Sequence, residues 1–229
     1  LIVAFLVAIF IFVFVMPGYE DMFSSVEGTT MPPITQFFID VGNFVTTNGI
    51  ALIAGTAAFI TTFVILQKKS KKFQKFLSYV SIKTPILGQI VKLNNLSRIA
   101  ATLSQMLNNH IPLQECLATT YDTLGNKIYQ ELIVQAQKNV NAGEFMSKVF
   151  ENHYAIEVVF VRMISVGERT GELGNMLKSL SAFYDEDSEV KIERLKKAIE
   201  PVLLLFIFSL ITVMLLAVML PTFSFTSQL

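Results

Sequence analysis

Three stretches without a charged residue interrupt the chain: LIVAFLVAIFIFVFVM at 1–16, IALIAGTAAFITTFVIL at 50–66 and PVLLLFIFSLITVMLLAVML at 201–220. A helix needs about 20 apolar residues to cross the hydrocarbon of a bilayer. The third stretch has that length, the second attains it once Phe44 to Gly49 are included, and the first falls slightly short. The chain opens on leucine, with no basic leader and no small-residue cleavage site, so the first stretch reads as a span cut at its start rather than as a signal peptide.

Between the second and third stretches the apolar positions recur at helical spacing, and no strand-like alternation competes. Ile90, Leu93, Leu96, Ala100, Leu103 and Leu107 form one stripe, which stops at NNHIPLQE, where Pro112 suits the first turn of a new helix. That second helix runs to about Leu124. GNK then separates it from a third helix carrying Ile128, Leu132, Val134, Ala136 and Val140. NAGE precedes a short fourth helix containing Phe145, Val149 and Phe150, and NHYA precedes a fifth that begins near Ile156. A sixth carries Leu173, Met176, Leu177, Leu180, Phe183 and Tyr184 and leads into the third apolar stretch.

Charge gives these elements a sidedness. The chain is 52% hydrophobic and 16% charged, too apolar for an ordinary soluble domain, and its net charge is zero. All 18 Lys and Arg nevertheless lie between Lys68 and Lys197, whereas residues 17–49 carry Glu20, Asp21, Glu27 and Asp40 and no basic residue. The positive-inside rule therefore assigns the middle of the chain to the cytoplasm. The expected fold is an all-α membrane protein with three transmembrane helices and a cytoplasmic six-helix bundle. Its parts are transmembrane helix 1 at 1–16, an extracytoplasmic loop at 17–43, transmembrane helix 2 at 44–66, the bundle at 67–199, transmembrane helix 3 at 200–220 and an extracytoplasmic tail at 221–229.

The segment SVGERTGELGNML at 165–177 concentrates Gly167, Gly171 and Gly174 in a helical region, where each glycine costs about 1 kcal/mol relative to alanine. The glycines predict a hairpin between the fifth and sixth helices, with Gly167 and Gly171 at the four-residue spacing that lets backbones approach. Glu168 and Glu172 flank the Gly171 turn and are expected to point outward while Leu173 and Leu177 pack inward. Exposed loops on rigid scaffolds are where binding residues gather, so the candidate partner-binding set is Gly167, Glu168, Gly171, Glu172 and Leu173.

Other chemistry finds little support. There is no Walker A lysine loop, no His-Glu-x-x-His, no nucleophile elbow and no cysteine cluster, so no catalytic residue and no cofactor is expected. His110 and His153 stand alone, without ligand-spaced companions, and no metal site is expected. Cys116 reads as a small buried apolar residue. The acidic group Asp185, Glu186, Asp187 and Glu189 has cation-holding chemistry, although a solvated acidic face is the plainer reading. KKSKK at 68–72 and Arg194, Lys196 and Lys197 read as anionic-lipid anchors beside spans, with an acidic partner surface as the alternative for both. Basic residues that flank membrane spans give no support for nucleic-acid binding. A multi-pass transporter or channel subunit is the competing class. It would place ionisable groups at membrane depth, and the three stretches offer only Thr56, Thr61, Thr62, Ser209 and Thr212, hydroxyls that usually bond back to the helix.

VGERTGELGNMLKSLSAFYDED resembles the hallmark segment of the type II secretion system protein F family, which includes the type IV pilus inner-membrane platform proteins. That pattern runs Gly-Glu, two residues, Gly, an acidic or polar residue, Leu, then leucines leading to Phe/Tyr-Tyr before an acidic stretch. Gly167, Glu168, Gly171, Leu173, Leu177, Leu180, Phe183 and Tyr184 match it. TPILG at 84–88 resembles the family's Pro-x-x-Gly opening of the domain. Arg98 with Leu103 fits its first helix, and Ile111, Pro112 and Leu113 fit the start of its second. Met16 and Pro17 fit its exit from the first span, and Glu200 and Pro201 match the Glu-Pro at the membrane boundary that opens its last. His110 stands where the family usually has glycine, and Ala155 where proline is common.

The resemblance implies a non-enzymatic platform in the cytoplasmic (inner) membrane of a prokaryote, coupling a cytoplasmic secretion or pilus ATPase to assembly of pilin or pseudopilin subunits. It also implies contacts with other inner-membrane assembly proteins and the lipid bilayer, and self-association as a dimer or small homo-oligomer. Family members usually carry two copies of the bundle, and the resemblance makes this one the second.

Overall fold

The computed structural model describes residues 33–85 and 87–226, and every element among them is helical. In chain order these are α1 (Pro33–Lys69), α2 (Lys71–Lys83), α3 (Leu87–Asn108), α4 (Leu113–Thr123), α5 (Lys127–Asn141), α6 (Ser147–Phe150), α7 (Val158–Thr170) and α8 (Leu173–Thr226). The chain divides into two compact units with boundaries at Phe63/Val64 and Leu195/Lys196.

In the first unit, α1 begins at Pro33, a residue whose fixed φ and missing N–H suit the first helical position. The expected loop at 17–43 is therefore corrected over 33–43, which is helix and continues without a break into 44–66. Ile34, Phe37, Phe38, Val41, Phe44 and Val45 already carry helical spacing there. Thr47–Gln67, 21 residues within α1, is long and apolar enough to cross a membrane. The stretch at 1–16 lies outside the described residues. Residues 200–220 are helical as part of α8, which runs on to Thr226, so 221–226 are helix rather than tail. The hydroxyls of Thr56, Thr61 and Thr212 donate to the carbonyls four residues back at 2.7–2.9 Å, and that of Ser209 to Phe206 at 3.1 Å. These groups thus satisfy themselves within their own helices.

The second unit is a helical bundle. Ser70 separates α1 from α2 with an extended backbone, and its Oγ accepts the Phe73 N–H at 3.3 Å, which caps α2. The helices α3 to α8 fall where the sequence pattern placed the six helices, and α2 stands before them as an element the pattern did not predict. The fourth of the six is shorter than expected: Phe145 precedes it and is exposed.

The core is built from Leu93, Leu96, Ile99, Ala100 and Leu103 of α3, Leu132, Ile133 and Ala136 of α5, Phe160 and Ile164 of α7, and Leu177, Leu180 and Tyr184 of α8. Phe150 and Phe160 meet edge to face at 5.6 Å. Two expected core positions differ, since Val134 is exposed and Phe183 is 52% exposed beside a fully buried Tyr184. Cys116 is buried as expected, and burial pushes its thiol up from the ordinary value.

Polar groups fix the joints. Along α3 and α8, Ser97 Oγ donates to Asp185 at 2.5 Å, Ser188 Oγ to Asn94 Oδ1 at 2.8 Å, and Ser104 Oγ to the Gly174 carbonyl at 2.8 Å. Asp185 is thereby tied to α3, and Asp187 pairs with Lys191 one turn along α8 at 2.9 Å, while Glu186 and Glu189 are exposed. His110, at the position where the family usually has glycine, adopts φ 59°, the left-handed conformation that glycine reaches without strain. Ala155 is fully buried, and its carbonyl accepts the Tyr129 hydroxyl at 2.8 Å.

Candidate functional site

The hairpin between α7 and α8 is made by two glycines with different tasks. Gly171 ends α7 in the left-handed region at φ 76° and ψ 3°, a conformation that costs a side-chain-bearing residue about 1–2 kcal/mol. A Cβ at Gly171 would meet nothing within 4 Å, so its work is conformational. Gly167, by contrast, is buried, and a Cβ there would lie 2.9 Å from Leu173 Cα and 3.3 Å from Met176 Cβ. The expectation that both glycines serve close approach is corrected: Gly167 alone does so. Gly174 adds a contact that the pattern did not reveal, because a Cβ on it would run into Asn108 Oδ1 at the end of α3.

Glu168 departs from the sequence expectation too. Its side chain is half-buried and turns toward α6, where its carboxylate accepts the Met146 N–H at 2.6 Å and the Ser147 N–H at 3.2 Å. The first N–H groups of any helix lack intrahelical acceptors, and a carboxylate there satisfies them and favours the local dipole. Glu168 is thus a clamp between α7 and the start of α6 and does not point outward.

The exposed chemistry of the hairpin belongs to Arg169, Thr170, Glu172 and Asn175. Glu172 accepts from Asn175 Nδ2 at 2.6 Å, and Thr170 Oγ1 donates to the Val166 carbonyl at 2.9 Å. Leu173 packs inward beneath them, nearly buried, as expected. Among the described residues no three His, Cys, Asp or Glu side chains cluster in a way that would hold a metal ion. The arrangement offers a rigid turn that displays a carboxylate and a guanidinium, which is chemistry for binding a complementary charged surface. Glu200 and Pro201 lie within α8, both exposed, in the first unit, and the hairpin residues lie in the second.

Comparison with known proteins gives a family model, Type II secretion system (T2SS), protein F, that matches residues 99–221, which include the whole hairpin. The chain is 27% identical over 223 residues to the type IV pilus assembly protein PilC of Pseudomonas aeruginosa, covering 97% of this chain and 59% of that protein. It is 28% identical over 218 residues to the type II secretion system protein F of the same organism, covering 94% and 53%. It is also 28% identical over 237 residues to the protein transport protein HofC homolog of Haemophilus influenzae, covering 98% and 57%. The chain therefore spans little more than half the length of the curated relatives it matches. With more than half of its length matched by the family model, and with the Gly-Glu-x-x-Gly-x-Leu hairpin inside that match, the chain belongs to the type II secretion system protein F family.

Proposed function

We propose that the chain is part of an inner-membrane platform for type II secretion or type IV pilus assembly, on which a cytoplasmic ATPase acts while pilin or pseudopilin subunits enter a filament. The observation that carries this reading is the family match over residues 99–221. In this reading 1–16, 44–66 and 200–220 are membrane spans, the 67–199 bundle is cytoplasmic, and the platform self-associates. Its work is binding, and the motor chemistry is the ATPase's.

The exposed face of the hairpin is the surface we assign to partners, with Glu172 as its carboxylate. Glu172→Lys should abolish filament assembly or secretion when it replaces the native gene, at normal protein abundance, and should weaken co-purification of the ATPase or of a second platform copy. Truncating or reversing one partner of an interfacial charge pair typically costs several kcal/mol. Wild-type assembly together with wild-type co-purification would leave Glu172 a solvated charge.

Topology is tested separately. Single cysteines in 17–32 and in 64–195, on a Cys116→Ser background, are treated with a membrane-impermeant thiol reagent in intact cells. Labelling of the first segment only is expected, and the reverse pattern would invert the orientation.

A further inference from the structure

The helix α2 packs Ile82 and Ser78 against the bundle and leaves two aromatic rings, Phe76 and Tyr79, among lysines on its exposed side. Ser78 and Ile82 are buried, and Ser78 Oγ accepts the Lys127 N–H at 3.1 Å. On the opposite side Lys72, Phe76, Tyr79 and Lys83 follow one another at helical spacings of four, three and four residues. Phe76 is 62% exposed and Tyr79 39%. Tyr154, from the α6 to α7 connection and 48% exposed, meets Tyr79 edge-on at 6.1 Å. Lys83 Nζ stands 4.9 Å over the Tyr79 ring, and Lys92 Nζ donates to the Tyr154 carbonyl at 2.8 Å. Of these lysines and the neighbouring Lys75, Lys75 has a carboxylate partner in Glu131 at 2.6 Å, and among the described residues the others form no ion pair.

A soluble surface would not ordinarily leave three aromatic rings together in water, and lysines at their rim answer to anionic groups. Aromatic rings with lysines that reach past them are the composition of a layer where one side is hydrocarbon and the other is headgroup. The chain itself supplies the proximity: a single residue, Ser70, separates α2 from α1, whose Thr47–Gln67 segment has the length and apolarity of a span. We propose that α2 is an interfacial helix, whose Lys72, Phe76, Tyr79 and Lys83 face, joined by Tyr154, lies in the headgroup layer of an anionic phospholipid membrane. Phe76 and Tyr79 enter the boundary with the acyl chains, and Lys72 and Lys83 take phosphate oxygens. The proposal rests on the reading that Thr47–Gln67 spans the bilayer.

The chain contains no tryptophan, so one introduced indole reports its surroundings alone. The full chain carrying Phe76→Trp, and separately Tyr79→Trp, is reconstituted in phosphatidylcholine vesicles with and without phosphatidylglycerol. Each is compared with the same vesicles made from lipid brominated near the headgroup. The expected result is a loss of emission in brominated anionic vesicles, and a smaller loss when Lys72→Glu and Lys83→Glu are added. Full emission at both positions overturns the proposal, as does a blue shift without bromine quenching, which would mean that protein covers the face. Phe59→Trp, read with lipid brominated mid-chain, separates the two claims. Its quenching beside unquenched Phe76→Trp and Tyr79→Trp refutes the interfacial helix alone, and no quenching at Phe59→Trp refutes the span.

Discussion

Gly167→Val is expected to destabilise the chain by about 3 kcal/mol, and Gly171→Ala by about 1 kcal/mol. The difference follows from what each position meets. At Gly167 the first added carbon would sit 2.9 Å from the backbone of Leu173, and a backbone atom cannot rotate out of the way. Valine adds two further carbons, so α7 and α8 must separate and give up contacts around Leu173 and Met176. Removing a glycine from a helix gains about 1 kcal/mol of propensity, less for a β-branched residue, which does not offset overpacking of this kind. Gly171 sits in open space, and alanine there bears only the cost of a left-handed backbone. Domains hold about 5–15 kcal/mol in all, so the two variants should be well separated in a denaturant or thermal scan of the detergent-solubilised chain. Equal midpoints for the two would show that the close approach at Gly167 contributes nothing.

Glu168→Ala is the second large effect, with an expected loss of about 2 kcal/mol, because two backbone N–H groups at the start of α6 lose a charged acceptor together. Glu168→Gln should fall between, since its amide oxygen can still accept one N–H while its amide nitrogen opposes the other. Reduced assembly in Glu168→Ala is therefore expected to come with reduced abundance and a lower unfolding midpoint. An unchanged midpoint would show that the clamp adds no stability and would return Glu168 to the surface as a partner's carboxylate. Comparing Glu168→Ala with Glu172→Lys separates loss of fold from loss of contact.

What could be read from the sequence depended on which atoms carry the information. The bundle helices α3 and α5 follow from side-chain periodicity, because their apolar stripes face inward, and α4 and α7 from the residues that open and close them. The helix α2 escaped the same reading because its apolar residues are split between its sides, with Ile82 in the core beside Ser78 and with Phe76 and Tyr79 exposed. The hairpin was legible from its glycines, but the division of labour between Gly167 and Gly171 was not, since φ and a neighbour's Cα position are not written in residue types. The partner of Glu168 was beyond reach for a simpler reason: its donors are backbone amides more than 20 residues away, and any residue type provides them. Phe183 and Tyr184 are adjacent and both aromatic, and helical rotation of about 100° per residue puts one in and one out. The assumed loop before Phe44 ended at Pro33, where proline opened a helix instead of breaking one.

The three hydrogen bonds between α3 and α8 run in antiparallel order, Ser104 with Gly174, Ser97 with Asp185 and Asn94 with Ser188. Sliding α8 along α3 by one turn, about 5.4 Å, would break all three at once. The three bonds therefore select one axial station of α8 against α3, a choice that apolar packing, which has no direction, does not make by itself.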